Sequence, residues 1–309
     1  MVKAVFTTRV SPSYDDLPER YYHFPRSYLR QVEAALGDWI VYYEPRRRSA
    51  DPGSRGGRQA YFAIARVAGI EPDPVRSDHF YARIDGFLDL EHPVPFRAGP
   101  GDTYERGLTR VDGGTSRGAF GRSVRNLSDA EFDRIVAAGF GRLIAPPVTV
   151  SQTAAPFDGF GEAPAVFEDA PTPPRPMIER LATRPFRDRA FADVVRRAYG
   201  RRCAMTGLAL VDADGLGEAE AAHIRPVADD GPDSVRNGLA LTGTLHWMFD
   251  HGLVSVDEDH SLLLDQGRVP DTILRIIHPD RRLVVPDIPD LRPHPEFLRC
   301  HRRDIFHGG

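Results

Sequence analysis

The sequence is almost without lysine. Lys3 is the only one, so nearly all of its 40 basic side chains are arginine. A GC-rich coding bias accounts for that composition, and arginine also suits bidentate phosphate and guanine contacts better than lysine does. Cysteine is scarce too: Cys203 and Cys300 are the only two, and neither sits in a C-x-x-C pair. A disulfide framework and a four-cysteine zinc site are therefore excluded, and two buried free thiols in a reducing cytosol are expected. No apolar run approaches the roughly 20 residues of a membrane span. The opening MVKAVFTTRVSPSYDD has no apolar signal-peptide core, so a cytoplasmic protein is expected. A global basic field is missing as well. With a formal net charge of -4, a nucleic-acid partner would have to be held by local patches.

What is present is an ordinary globular composition, 41% hydrophobic and 27% charged over 309 residues, enough for two cores. Ser151–Pro176 reads SQTAAPFDGFGEAPAVFEDAPTPPRP. It is rich in Pro, Ala and Gly without periodic apolar positions, as linkers are. The expected division is a first domain at 1–150, a linker at 151–177 and a second domain at 178–309.

In the first part, KAVFTTRV, DWIVYYEPR, AYFAIARVAGI and DHFYARIDGFLDLEHPVPF read as strands. A helix is expected over Pro25–Leu36, stopped by Gly37, and another in LSDAEFDRIVAAGF, where Ser128 and Glu131 have capping-box spacing. Mostly strands with a few helices suggests a small β-barrel with flanking helices. The second part opens with a helix in FRDRAFADVVRRAYG, whose Phe191, Val194, Val195 and Ala198 share a face. Arginines 184, 187, 189, 196, 197, 201 and 202 outnumber the acids there, which fits either a solvated face or a phosphate-contacting patch.

The chemistry concentrates in EAAHIRPVADDGPDSVRNGLALTGTLHWMFDHGL, Glu220–Leu253. Its pattern is strand, loop, strand, short helix. On the helix His246 and Asp250 are i and i+4 and share a face, while His223 ends the first strand. A neutral imidazole beside a divalent metal is a good general base for water. A carboxylate and an imidazole one helical turn apart make a metal anchor, and an Asn in the turn can brace the loop by hydrogen bonds. Together these parts suit one-metal phosphodiester hydrolysis. Trp247, Met248 and Phe249 are expected in the core, as is Cys203. His251, His260 and His278 follow no usable pattern and are expected at the surface.

The run H-I-x-P, then N-G-L-x-L, then L-H-x-x-F-D-x-G-L resembles the HNH nuclease family, with RRCAMTG as its entry and Phe186–Phe306 as the span of the likeness. The resemblance implies a ββα-metal domain in which His223 is the general base and Asn237 positions the loop carrying it. It also makes His246 a metal ligand, and Asp250 a second ligand or a phosphate-side residue. Many relatives carry an acid or His just before the base, and here that position is Ala222. Two alternatives follow: Glu220, on the same strand face as residue 222, replaces the missing ligand, or it is a solvated acid and the metal has fewer protein ligands. The implied cofactor is a divalent ion, Mg2+ first, with Mn2+ or Ni2+ as alternatives.

In the first part, GDWIVYYEPR followed by GRQAYFAIARV is similar to the strand pair of PUA-like barrels of the EVE, ASCH and YTH type. The implied whole is an α+β protein, a PUA-like reader joined to an HNH domain, as in modification-dependent restriction endonucleases. Its partner would be double-stranded DNA, modified at cytosine and read through a flipped-base pocket. Candidate pocket residues are Tyr22, Phe24, Trp39 and Tyr43. Tyr42 is a further candidate, but neighbours in a strand face opposite ways, so Tyr42 and Tyr43 cannot both line one pocket. Arg46, Arg47, Arg122, Arg125, Arg201 and Arg202 are candidate backbone contacts, and DPGSRGGR, which follows Arg48, is expected to be a mobile loop. A homodimer would let two single-strand cuts make a double-strand break. Two rivals stay open: an HNH nuclease reading unmodified DNA or RNA, and a non-catalytic DNA-binding protein with a decayed site.

Overall fold

The computed structural model describes residues 2–8, 16–47, 51, 53–110, 112–144, 177–213, 215 and 217–308. The expected linker lies outside them except for Met177, and so do Arg48 and part of the Gly-rich segment after it. The first half holds β1 (Lys3–Thr7), β2 (Tyr21–Pro25), α1 (Leu29–Ala34), β3 (Trp39–Glu44), β4 (Ala60–Pro72), β5 (His79–Pro95), β6 (Arg97–Gly99), β7 (Asp102–Thr103), α2 (Arg117–Phe120), β8 (Val124–Leu127), α3 (Asp129–Gly139) and α4 (Gly141–Ile144). Where one helix was expected over Pro25–Leu36, Pro25 ends β2 and a single 3-10 turn at Arg26–Tyr28 precedes the short α1. Proline holds φ near -75° there, and the backbone is extended at ψ 157°.

Six strands form one curled sheet in the order β2-β5-β4-β3-β1-β8. β1 runs parallel to β3 and the remaining neighbours are antiparallel. The sheet is a half-barrel: β2 and β8 are its edges rather than partners. Register shifts along β3–β4 and β4–β5 are bulges, which bend strands and increase their twist. Both faces are covered, so β3 is buried along its whole length. Val41 and Tyr43 face a core with Phe132, Ile135 and Phe140 of the α3 region. Ile40 and Tyr42 face the opposite core with Phe6, Tyr22 and Val32. The helix predicted in LSDAEFDRIVAAGF is α3, and Ser128 and Glu131 form its full capping box, worth about 1 kcal/mol.

The second half holds α5 (Met177–Ala182), α6 (Arg184–Ala198), β9 (Glu220–His223), β10 (Gly238–Leu241), α7 (Gly243–Asp250), β11 (Val254–Val256), β12 (Leu262–Leu264), α8 (Asp271–Ile276) and α9 (Pro295–Asp304). Its core gathers Phe191 and Val195 of α6, the β9–β10 hairpin, Leu245 and Phe249 of α7, and Phe297. α6 also serves the other half, because Ala190, with Leu181 of α5, belongs to the α3-side core. Polar contacts reinforce this junction. Arg187 donates to the Gly86 and Phe87 carbonyls (3.1 and 2.7 Å), the Val235 amide donates to Asp89 (2.7 Å), and Arg236 pairs with Glu19 at 3.1 Å. No described helix is long and apolar enough to cross a membrane.

Candidate active site

The β9–β10 hairpin pairs Gly238 with His223 and Leu241 with Glu220. Its position under α6 depends on glycine: a Cβ at residue 238 would lie 2.4 Å from a Val195 methyl and 3.1 Å from the Phe191 ring. Asn237 is fully buried. Its Oδ1 accepts from the Arg225 amide at 2.8 Å, and its Nδ2 donates to the carbonyls of Arg225 and Pro232, both at 3.0 Å. One side chain thus staples both ends of the loop that leaves His223.

His223 is held in two ways. Its ring lies flat on Phe191, with centroids 3.8 Å apart and planes 11° from parallel. Its Nε2 is 3.0 Å from Oδ1 of Asp233, whereas Nδ1 has no hydrogen-bond partner among the described residues. The imidazole keeps 17% exposure, so that nitrogen belongs to a ring still open to water. Asp233 is buried and also pairs with Arg187 and Arg184. Burial pushes its carboxyl up, but the His223 hydrogen bond and the two guanidiniums outweigh this and hold it below the usual carboxylate range.

His246 stands between two carboxylates. Nδ1 is 2.8 Å from Glu220 and Nε2 is 3.4 Å from Asp250. Glu220 and Asp250 are more than half exposed. One imidazole and two carboxylates are a donor set that suits a divalent ion, which would replace a proton on the ring. As placed, however, no group of three or more His, Cys, Asp or Glu side chains among the described residues is arranged as a metal cage. Ala222 is buried in the core, whereas Glu220, two residues before it on the same strand face, is exposed at the end of β9. The structure thus brings Glu220, His246 and Asp250 together. No hydrogen bond or ion pair joins them to His223 among the described residues.

Asp233 is the site residue that sequence reasoning missed. The loop holds Asp229, Asp230 and Asp233, and nothing in their spacing marks the one that turns inward. Trp247 is a correction: expected in the core, it is 56% exposed and stacks on His251 at 4.2 Å, while Met248 and Phe249 are buried. α7 runs only Gly243–Asp250 and has a single buried stripe, which leaves residue 247 outside.

Of the aromatics considered for a base pocket, Tyr22, Phe24 and Tyr43 pack inside the two cores and border no described cavity. Trp39 is buried beneath Arg66 and edges a groove of about 1040 Å³ that reaches Arg184, Arg187 and Asp233. A second cavity, of about 430 Å³, lies between the curled sheet and the second half. Thr8, Glu44, Phe62, Phe87, Asp89 and Arg236 are among its walls. Thr8 Oγ1 is buried there without a hydrogen-bond partner among the described residues. Burial pushes the Asp89 carboxyl up to about 6. Arg46, Arg47, Arg122, Arg201 and Arg202 are exposed. Arg125 is not available at the surface: it is buried in a two-point pair with Glu105 at 2.6 and 2.8 Å. In the arginine-rich helix α6, Arg184, Arg187 and Arg197 are engaged with Asp233 and Glu91 rather than displayed freely.

Residues 203–257 match the model of an HNH endonuclease family. They form an HNH endonuclease domain. No curated protein matches the chain. Among solved structures, a modification-dependent TagI restriction endonuclease is similar at 13% identity over 98% of this chain and 82% of that one, with a TM-score of 0.30. The NMR structure of Rpa0253 from Rhodopseudomonas palustris is similar at 16% identity over 45% of this chain and 93% of that one, with a TM-score of 0.31.

Proposed function

We propose that this protein is a DNA endonuclease. In this reading the HNH domain hydrolyses the phosphodiester and the first half selects the target. The observation that carries it is the immobilised His223, stacked on Phe191 with Nδ1 unpartnered among the described residues, in a hairpin stapled by Asn237. Nδ1 takes a proton from water as the oxygen bonds to phosphorus in line with the departing sugar oxygen, which solvent protonates. His246, Asp250 and Glu220 would hold one divalent ion, Mg2+ first. When bound, it supplies positive charge for the crowded phosphate and the leaving oxygen. Arg46, Arg47, Arg122, Arg201 and Arg202 would contact the DNA backbone. We divide the chain into reader, linker and nuclease at 1–150, 151–177 and 178–309, and propose a homodimer for double-strand breaks.

The finer proposal is recognition of modified cytosine. The cavity between Phe62, Phe87 and Asp89 supports it: the volume admits a base, the walls offer rings for contact, and carboxylates can accept from an exocyclic amine. The test is cleavage of methylated, hydroxymethylated and plain plasmid with Mg2+, Mn2+ or Ni2+. Preference for a modified plasmid is expected. Equal cutting of all three would remove the modified-base reading and keep the nuclease. No nicking under any condition would leave a DNA-binding protein.

A further inference from the structure

We infer that Asp233 is the positioning residue of His223, and that Arg187 anchors this pair to the sheet of the first half. The inference rests on the proposed nuclease reading. An ionised carboxylate only accepts hydrogen bonds. Held by Arg187 and Arg184, Asp233 therefore takes the proton-bearing nitrogen of the imidazole, Nε2, at 3.0 Å. That contact fixes the tautomer and leaves the lone pair on Nδ1, the nitrogen without a hydrogen-bond partner among the described residues. The Phe191 stack stops the ring from tilting, and the Asp233 contact stops it from flipping about its own axis.

The carboxylate is itself fixed from outside the HNH motif. Oδ2 accepts from Arg187 Nε at 2.8 Å and lies 2.7 Å from Nη2 of the same guanidinium. The same guanidinium donates to the carbonyls of Gly86 and Phe87 in β5. Asp233 also forms a backbone bridge with Leu88 of that strand. The orientation of the base thus depends on a strand more than 130 residues earlier in the chain, as the difference between positions 88 and 223 gives. The charged groups facing the pair are Asp233 from the loop and Arg184 and Arg187 from α6.

The experiment nicks supercoiled plasmid with Mg2+ across pH. Asp233→Asn is expected to lower kcat about 10²-fold or more with KM little changed. It should also move the acidic limb of the profile to lower pH, because the imidazolium loses its anionic partner. Asp233→Glu should recover part of the rate, and Arg187→Gln should lose about tenfold. Wild-type kcat and an unmoved acidic limb in Asp233→Asn would overturn the proposal. Where that variant melts early, histidine 15N shifts of the wild-type protein decide instead, with His223 assigned by comparison with His223→Gln. A neutral ring protonated at Nε2 supports the inference, and one protonated at Nδ1 overturns it. His223→Ala keeps the two readings apart: if it cuts normally, the nuclease assignment of His223 fails, whatever the role of Asp233.

Discussion

Two imidazoles in the same short motif live in opposite surroundings. His223 is clamped on its face by Phe191 and on one edge by a buried, doubly paired carboxylate, and its other nitrogen is left over. His246 is flanked by two largely exposed acids, one at each nitrogen. The first arrangement restricts a proton acceptor to one position. The second concentrates negative charge where a cation can enter from solvent. Residue type alone does not separate these roles, and the neighbours do.

The difference can be pressed by substitution. His223→Ala should reduce plasmid nicking about 10²–10⁴-fold while divalent-ion binding, followed by calorimetry, stays near wild type. His246→Ala should lower both, with metal affinity falling about 10–100-fold and excess Mn2+ restoring part of the rate. Equal metal affinity in the two variants would erase the contrast. Asn237→Ala acts on the first imidazole alone. It orphans the Arg225 amide and two carbonyls, so stability should fall by about 3 kcal/mol in a denaturant titration, with no direct effect at the ion site.

Asp89→Asn reaches the same loop through the Val235 amide, which an asparagine oxygen can still accept. The fold raises this carboxyl to about 6 and so favours its protonated form. Its contribution to stability is present at low pH and lost as pH rises through about 6. Above pH 7 the variant should be the more stable protein, by up to about 3 kcal/mol, and the gap should close below pH 4. A gap independent of pH in thermal melts would remove that argument. The smallest effect is expected of Arg46→Ala with Arg47→Ala. It leaves both imidazoles untouched and should weaken DNA binding uniformly across sequences, lowering the salt slope by about one per arginine.

The HNH motif was legible because its parts are close in sequence: a hairpin, Asn-Gly and one helical turn place His223 and determine most of what Asn237 and His246 face. Gly238 reads as a turn residue from sequence, and the structure adds that α6 presses on it. Asp233 was not legible, since its inward turn depends on Arg184 and Arg187 and on the bridge to Leu88 of β5. In the first half the strands and the α3 cap could be read, because alternation and capping chemistry are local. The fates of Tyr22, Phe24 and Tyr43 could not, because an aromatic in a strand looks the same whether it fills a core or lines a cavity. Arg125 met the same limit: only the fold reveals Glu105 beside it.

Because α6 contributes side chains to cores on both sides of the junction, the spacing between the cavity and His223 is set by packing, a built-in ruler rather than the reach of a tether. A nuclease hung on flexible chain samples many positions along its target. On the proposed function, this one would cut at a single offset from the base it holds, and that offset would survive insertion of extra glycines between residues 150 and 176.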